Sequence, residues 1–285
     1  QLINYPNLPE DTFRAALALY GKGNTYIKLG NHLDNFLIDL IPLEMNQSNS
    51  GYESVETIVH CFLLTIIQYI EELSNHQMSE AVRSRVDLKY AFHLPMNYPS
   101  FDPKILCDFR RKLMTDSLTQ QTFQKLLDRF LEYGLFSPKQ HLSADAHQLL
   151  ANVCSINRID ELVDAMYWVF ETLAMTDPDW LRQNTIPYWY DRYNQKRRLA
   201  SISFYDQKWS AWVIQIGEDI HYLLEQIEKT HNQKLAALQE ILILKQLWEE
   251  QFVVSSKENG NSQFFEWRFS KCASCNSYCN SREVQ

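Results

Sequence analysis

The run ETIVHCFLLTIIQYIE, Glu56 to Glu71, limits the fold more than any other feature of the chain. Between its two glutamates lies the most apolar window of the chain, Thr57 to Ile70, which also holds His60 and Gln68. A bilayer core takes about 20 consecutive apolar residues to cross, and this window is too short. It therefore reads as a core helix, and the spacing predicts one helix over Glu53 to Asn75 at the centre of a first core. No membrane partner is expected. Glycine is scarce, 7 residues in 285, so tight turns are few and long helices are expected over short strands.

The flanking sequence agrees with a mainly α chain. A second helix is expected around Met78 to Tyr90, followed by a loop in HLPMNYPSFDP, whose three prolines favour extended residues before each ring. Helical spacing resumes in DPKILCDFRRKLM, with Ile105, Leu106, Phe109 and Leu113 on one face. In SLTQQTFQKLLDRFLEYG, Ser117 and Gln120 have the spacing of a capping box, and Gly134 stands where a helix stops. Further on, Leu162, Val163, Met166, Phe170 and Leu173 recur at helical spacing until DPDW. Two more helices are expected near Ala211 to Thr230 and Leu235 to Phe252.

One stretch departs from this pattern. In HLSADAHQLLANV, His141 to Val153, the polar residues Ser143, Asp145 and His147 alternate with others, which suits a short strand. Asp145 is then a lone carboxylate on that strand, with His147 on the same face. Asp160, Glu161 and Asp164 follow closely and read as the dipole-favoured start of the next helix. Phosphoryl transfer by paired Mg²⁺ ions needs at least two acids around the scissile phosphate, and spacing alone does not supply them.

Six cysteines are present. Cys61 and Cys107 lie in apolar or helical contexts, as buried thiols do. Cys272, Cys275 and Cys279 in CASCNSYC offer three ligands where structural zinc takes four. No signal peptide is visible, and a reducing cytoplasmic setting is expected.

Net charge is −8, which does not advertise a nucleic-acid binder, yet the cations are unevenly spread. Val82 to Leu113 holds Arg83, Arg85, Lys89, Lys104, Arg110, Arg111 and Lys112 against Asp87, Asp102 and Asp108, a local +4. Two helices joined by a proline-rich loop could lay those cations along a phosphate backbone. On composition alone a solvated charged face is the favoured explanation. RYNQKRR, Arg192 to Arg198, is a second basic patch.

Several ordered blocks resemble a known family. SEAVRSRVDLKYAFHLPMNYPSFDPKILCDFRRKL is similar to the InsH-type N-terminal domain of bacterial insertion-sequence transposases. The matching positions are Glu80 to Arg83, Val86, Asp87, Lys89 to Ala91, then Leu106, Asp108 to Arg110 and Leu113. YGLFSPKQHLSADAHQLLANVCSINRIDELVDAMYWVFETLA, PDWL, DRY and LQEILILKQLWEEQF continue the likeness in order.

The resemblance implies a DDE transposase. It assigns 1–138 to a helical DNA-recognition domain and 139–157 to the first strand region of an RNase H-like core. It assigns 158–255 to a large helical insertion and 256–285 to an irregular, truncated or frameshifted tail. One or two strands of an incomplete core are thus expected within a mainly α chain. It makes Asp145 the first of three catalytic, metal-binding acids, with Mg²⁺ as cofactor. It gives Arg83, Arg85, Lys89, Arg110, Arg111 and Lys112 to DNA, namely the terminal inverted repeats of the element, and implies a homodimer to bring two ends together.

Ser143-Ala144 and Ala146 depart from the family pattern around the Asp. The family's second Asp and its Glu lie beyond the WR region, and here SKCASCNSYCNSREVQ follows instead. The expectation is the N-terminal portion of a transposase, DNA-binding and unable to catalyse alone. The alternatives are a DNA-binding regulator or inhibitor of transposition and a degenerate gene product.

Overall fold

The computed structural model describes residues 6–21, 23–37, 55–134, 145–193, 208–230, 232–256 and 263–267. These divide into two compact units, with the division falling between Cys154 and Ser155.

The first unit is all helical. Its elements are α1 (Glu10–Leu19), α2 (Thr25–Leu37), α3 (Val55–Glu71), α4 (Asn75–Ser84), α5 (Val86–Ala91), α6 (Lys104–Thr115) and α7 (Ser117–Glu132). The first residues of α8 (Ala146–Thr176) also belong to it. The apolar window becomes α3, and Val59, Phe62, Leu63, Ile66 and Ile67 are fully buried in the core it organises. Phe62 meets Phe109 of α6 edge to ring at 5.1 Å and stacks on Phe123 of α7 at 5.5 Å, geometries that aromatic pairs prefer. Leu106, Phe109 and Leu113 turn inward from α6 as their spacing predicts.

Chain breaks fall where local chemistry favours them. The helix expected to run to Asn75 ends at Glu71, because Glu72 adopts a positive φ of 55° and Ser74 starts a new helix. Ser74 and Gln77 form a full capping box, each side chain accepting from the other's backbone N–H. The helix expected over Met78 to Tyr90 divides at Arg85, whose extended backbone ends α4 and opens α5. At α7 the cap is Asp116 and not Ser117: the carboxylate accepts from the Thr119 N–H at 3.0 Å, leaving Ser117 as the first helical residue. Gly134 follows α7 with φ 56°, the left-handed stop that glycine permits.

The short strand expected over His141 to Val153 is replaced by helix. Residues 141–144 lie outside the described residues, and α8 begins at Ala146. Alanine, glutamine and leucine are strong helix formers and weak strand formers, and here that preference prevails over the imperfect alternation. Asp160, Glu161 and Asp164 consequently sit in the middle of α8, not at a helix start, and Asp160 is buried.

The second unit holds the rest of α8 and α9 (Pro178–Asn184), α10 (Tyr188–Tyr193), α11 (Lys208–Lys229), α12 (Gln233–Ala236) and α13 (Gln239–Gln251). Strands β1 (Phe252–Ser256) and β2 (Gln263–Trp267) complete it. Asp177 caps α9, with Pro178 at its first position, which is why the preceding helix ends at DPDW. The core of this unit gathers Ile159, Leu162, Met166 and Leu173 of α8 with Ile216, Ile220 and Leu223 of α11 and Leu244 of α13. The strands form an antiparallel hairpin with Phe252 opposite Trp267 and Val254 opposite Phe265. This is the sheet seen among the described residues, and it lies outside the segment where a core strand was expected.

No single described helix is long and apolar enough to cross a membrane. Helices α3 and α4 together reach that length, but they meet at 103°, and α3 lines the core.

Candidate nucleic-acid interface

The sequence nominates six cations on α4, α5 and α6, and the fold sorts them into two groups. Lys89 and Arg110 correct the expectation, because both are buried, 5% and 1% exposed. Lys89 donates from Nζ to the Met96 carbonyl at 2.6 Å, tying α5 to the proline-rich loop. Arg110 points into the core, where Nη1 donates to Asn75 Oδ1 at 2.9 Å and to Gln68 Oε1 at 3.3 Å. A buried, internally bonded cation has no face to offer a phosphate.

Arg85 is also tied into the structure. It bridges Glu71 and Asp87, the latter at 2.9 Å, and its guanidinium lies 5.1 Å from the centre of the Tyr26 ring. Tyr26 in turn donates to Glu71, and burial, followed by that carboxylate, pushes its phenol far above the ordinary range. This cluster joins α2, α3, α4 and α5. The Arg85 head is about a third exposed, so it reaches solvent without being released from its partners.

Arg83 and Arg111 differ. Their side chains are 60% and 56% exposed, and each pairs only locally, Arg83 with Glu80 at 2.6 Å and Arg111 with Asp108 at 3.0 Å. Exposed pairs of this kind hold with about 0–1 kcal/mol, little enough for either arginine to exchange its carboxylate for a phosphate. Lys104 is exposed at the start of α6, and Lys112 is half-buried near its end. The accessible cations of this segment are therefore Arg83 on α4 and Lys104, Arg111 and Lys112 on α6, with Arg85 between.

Asp145 occupies the position before the first residue of α8. Its Oδ1 accepts from the His147 N–H at 2.9 Å, and its carbonyl accepts the first helical bond from Leu149 at 3.0 Å. The Asp145 carboxylate is 65% exposed, with His147 Nδ1 at 3.5 Å. These are the contacts of a helix N-cap. Among the described residues no three His, Cys, Asp or Glu side chains gather as a metal site would require. Among the described residues, the surroundings of Asp145 therefore do not fit a two-metal centre.

The second basic patch is mostly outside the described residues; of its cations Arg192 belongs to them, paired with the buried Asp219, which also accepts from Tyr193 at 2.7 Å. Cys272, Cys275 and Cys279 also lie outside the described residues.

Residues 16–112 match the model of a family described as a transposase domain (DUF772). The match spans the last turn of α1, all of α2 to α5 and all but the end of α6, including Arg83 and Arg111. It covers about a third of the 285 residues and lies wholly in the first unit. No curated protein and no solved structure matches the chain.

Proposed function

We propose that this chain is part of an insertion-sequence transposase and that its first unit binds DNA. The observation that carries this reading is the overlap of the transposase-domain match with a segment of local positive charge, Val82 to Leu113, whose exposed cations sit on two packed helices. The DNA contacts are assigned to Arg83 and Arg111, with Lys104, Lys112 and the exposed part of Arg85 beside them. Lys89 and Arg110 hold the helices that carry these side chains. The DNA is the pair of terminal inverted repeats of the element, and two copies of the chain would bring the two ends together.

The RNase H-like core and the place of Asp145 in a DDE site rest on the ordered sequence blocks. In this reading Asp145 begins the segment leading toward such a core, and the chain by itself does not cut DNA.

Fluorescence anisotropy with a labelled duplex carrying a terminal repeat tests the DNA surface. Changing both Arg83 and Arg111 to Glu is expected to weaken binding about tenfold or more, since each removed phosphate contact also removes a released counterion. Unchanged affinity in the folded double variant would show that the surface is wrong. A regulator of transposition would bind the same duplex, and adding this chain to the intact enzyme would then suppress excision.

A further inference from the structure

The buried Arg110 has no carboxylate partner. Its side chain is 1% exposed, its Nε meets no acceptor, and among the described residues no acid reaches it. Its contacts are two neutral amides and one sulfur: Gln68 Oε1, Asn75 Oδ1 and, from Nη2 at 3.7 Å, Cys107 Sγ. A guanidinium removed from water without a counter-charge is costly, and of these three partners only the thiol can become an anion.

The amides are oriented to favour that ionisation. Asn75 Oδ1 accepts from both Arg110 Nη1 and Gln68 Nε2, the latter at 3.0 Å, so its amide nitrogen must point the other way. There Nδ2 donates to Cys107 Sγ at 3.0 Å. The sulfur thus receives N–H donors from Asn75 and Arg110. Cys107 also lies in the first turn of α6, where the helix dipole favours a negative charge. It is half-buried, whereas Cys61 and Cys154 are buried.

Other charges nearby do not supply the missing anion. From α3, Cys61 also feels Arg110, but burial pushes its thiol up to about 12, so it stays neutral. Along α6, Lys104 is cationic, and Asp108 is paired with Arg111 at the exposed surface.

We propose that Cys107 is held as a thiolate paired with Arg110 and is a modification site for soft electrophiles and hydroperoxides. With an alkyl iodide, the sulfur lone pair forms an S–C bond as the C–I bond breaks and iodide leaves. With a hydroperoxide, the sulfur attacks one peroxide oxygen and the O–O bond breaks. The departing oxygen takes a proton; sulfur is oxidised by two electrons to sulfenic acid, and the peroxide is reduced to water or an alcohol.

The test is the pH dependence of iodoacetamide labelling of the folded full chain, read at Cys107 by peptide mass spectrometry. A free thiol has its midpoint near pH 8.5; Cys107 is expected to show a midpoint below about 7.5. A midpoint at or above that value overturns the proposal, with or without any variant. Asn75→Asp keeps the acceptor for Arg110, suits a helix start and places a carboxylate beside the sulfur. It is expected to raise the midpoint by about one unit or more, and a smaller shift in the folded variant contradicts the pairing. Hydrogen peroxide at pH 7 should block later labelling at Cys107; labelling that proceeds undiminished would also overturn it.

Discussion

At the scale of single residues, the same side-chain type serves opposite ends a few positions apart. Arg110 and Arg111 are neighbours in sequence, but one is 1% exposed and holds a buried amide network while the other projects from the same helix. The sequence lists both as cations, and their difference depends on the helical phase set by Leu106, Phe109 and Leu113. Helical spacing places Phe109 inward, as it is; it does not place Arg110 beside it there, because no sequence rule puts an arginine in a core. Asp145 shows the converse. Its identity suggested chemistry, whereas its contacts are those of a cap. Asp145→Asn should therefore leave stability nearly unchanged, and Asp145→Ala should cost about 1 kcal/mol in chemical denaturation. Equal losses for both variants would contradict the capping role.

His60 makes a pH-dependent prediction at the same scale. It lies beside a cavity of about 160 Å³ lined by Cys61, Leu64, Val82 and Phe101, and its ring meets Phe92 edge-on at 5.4 Å. Burial, offset only partly by a hydrogen bond with the Phe92 backbone, lowers its pKa from 6.5 to about 4. The unfolded chain therefore binds more protons than the folded one between these two values, and stability falls as pH drops through that window. From pH 7 to pH 5 this group should cost about 2 kcal/mol. His60→Leu should flatten the denaturation profile by that amount, and an unchanged slope would mean that His60 is not the source.

At the scale of elements, periodicity identified most helices, and local caps decided where they end. The run Glu53 to Asn75 appears continuous to any apolar count; the break depends on Glu72 in a positive φ and on the Ser74–Gln77 box. The strand expected at 141–153 fails for a related reason: a three-residue alternation is a weaker signal than the helix preference of Ala, Gln and Leu that follows. Packing adds a constraint that neither pattern shows. A Cβ on Gly30 of α2 would meet the Tyr90 ring at 2.7 Å and the Tyr90 carbonyl at 2.8 Å, against α5. Gly30→Ala should therefore destabilise the fold by about 1–3 kcal/mol, despite the better helix propensity of alanine. A thermal melt showing stabilisation would contradict this close approach.

At the scale of the whole molecule, the composition points away from nucleic acid: net charge is −8. The account instead rests on distribution. The accessible cations cluster in a segment that lies inside the transposase-domain match, with weak local pairs that a phosphate can displace. The mainly α class was legible from few glycines and many helical stripes. The two-unit division was not, because it falls inside α8, where no loop or composition change marks it.

The most direct test of the central claim is the salt dependence of binding to terminal-repeat DNA, measured for the wild-type chain and for the Arg83→Glu, Arg111→Glu double variant. The account predicts a linear fall of log K with log salt, and a slope shallower by about two in the variant, one for each lost phosphate contact. Binding with no salt dependence, or identical slopes for the two folded proteins, would contradict it.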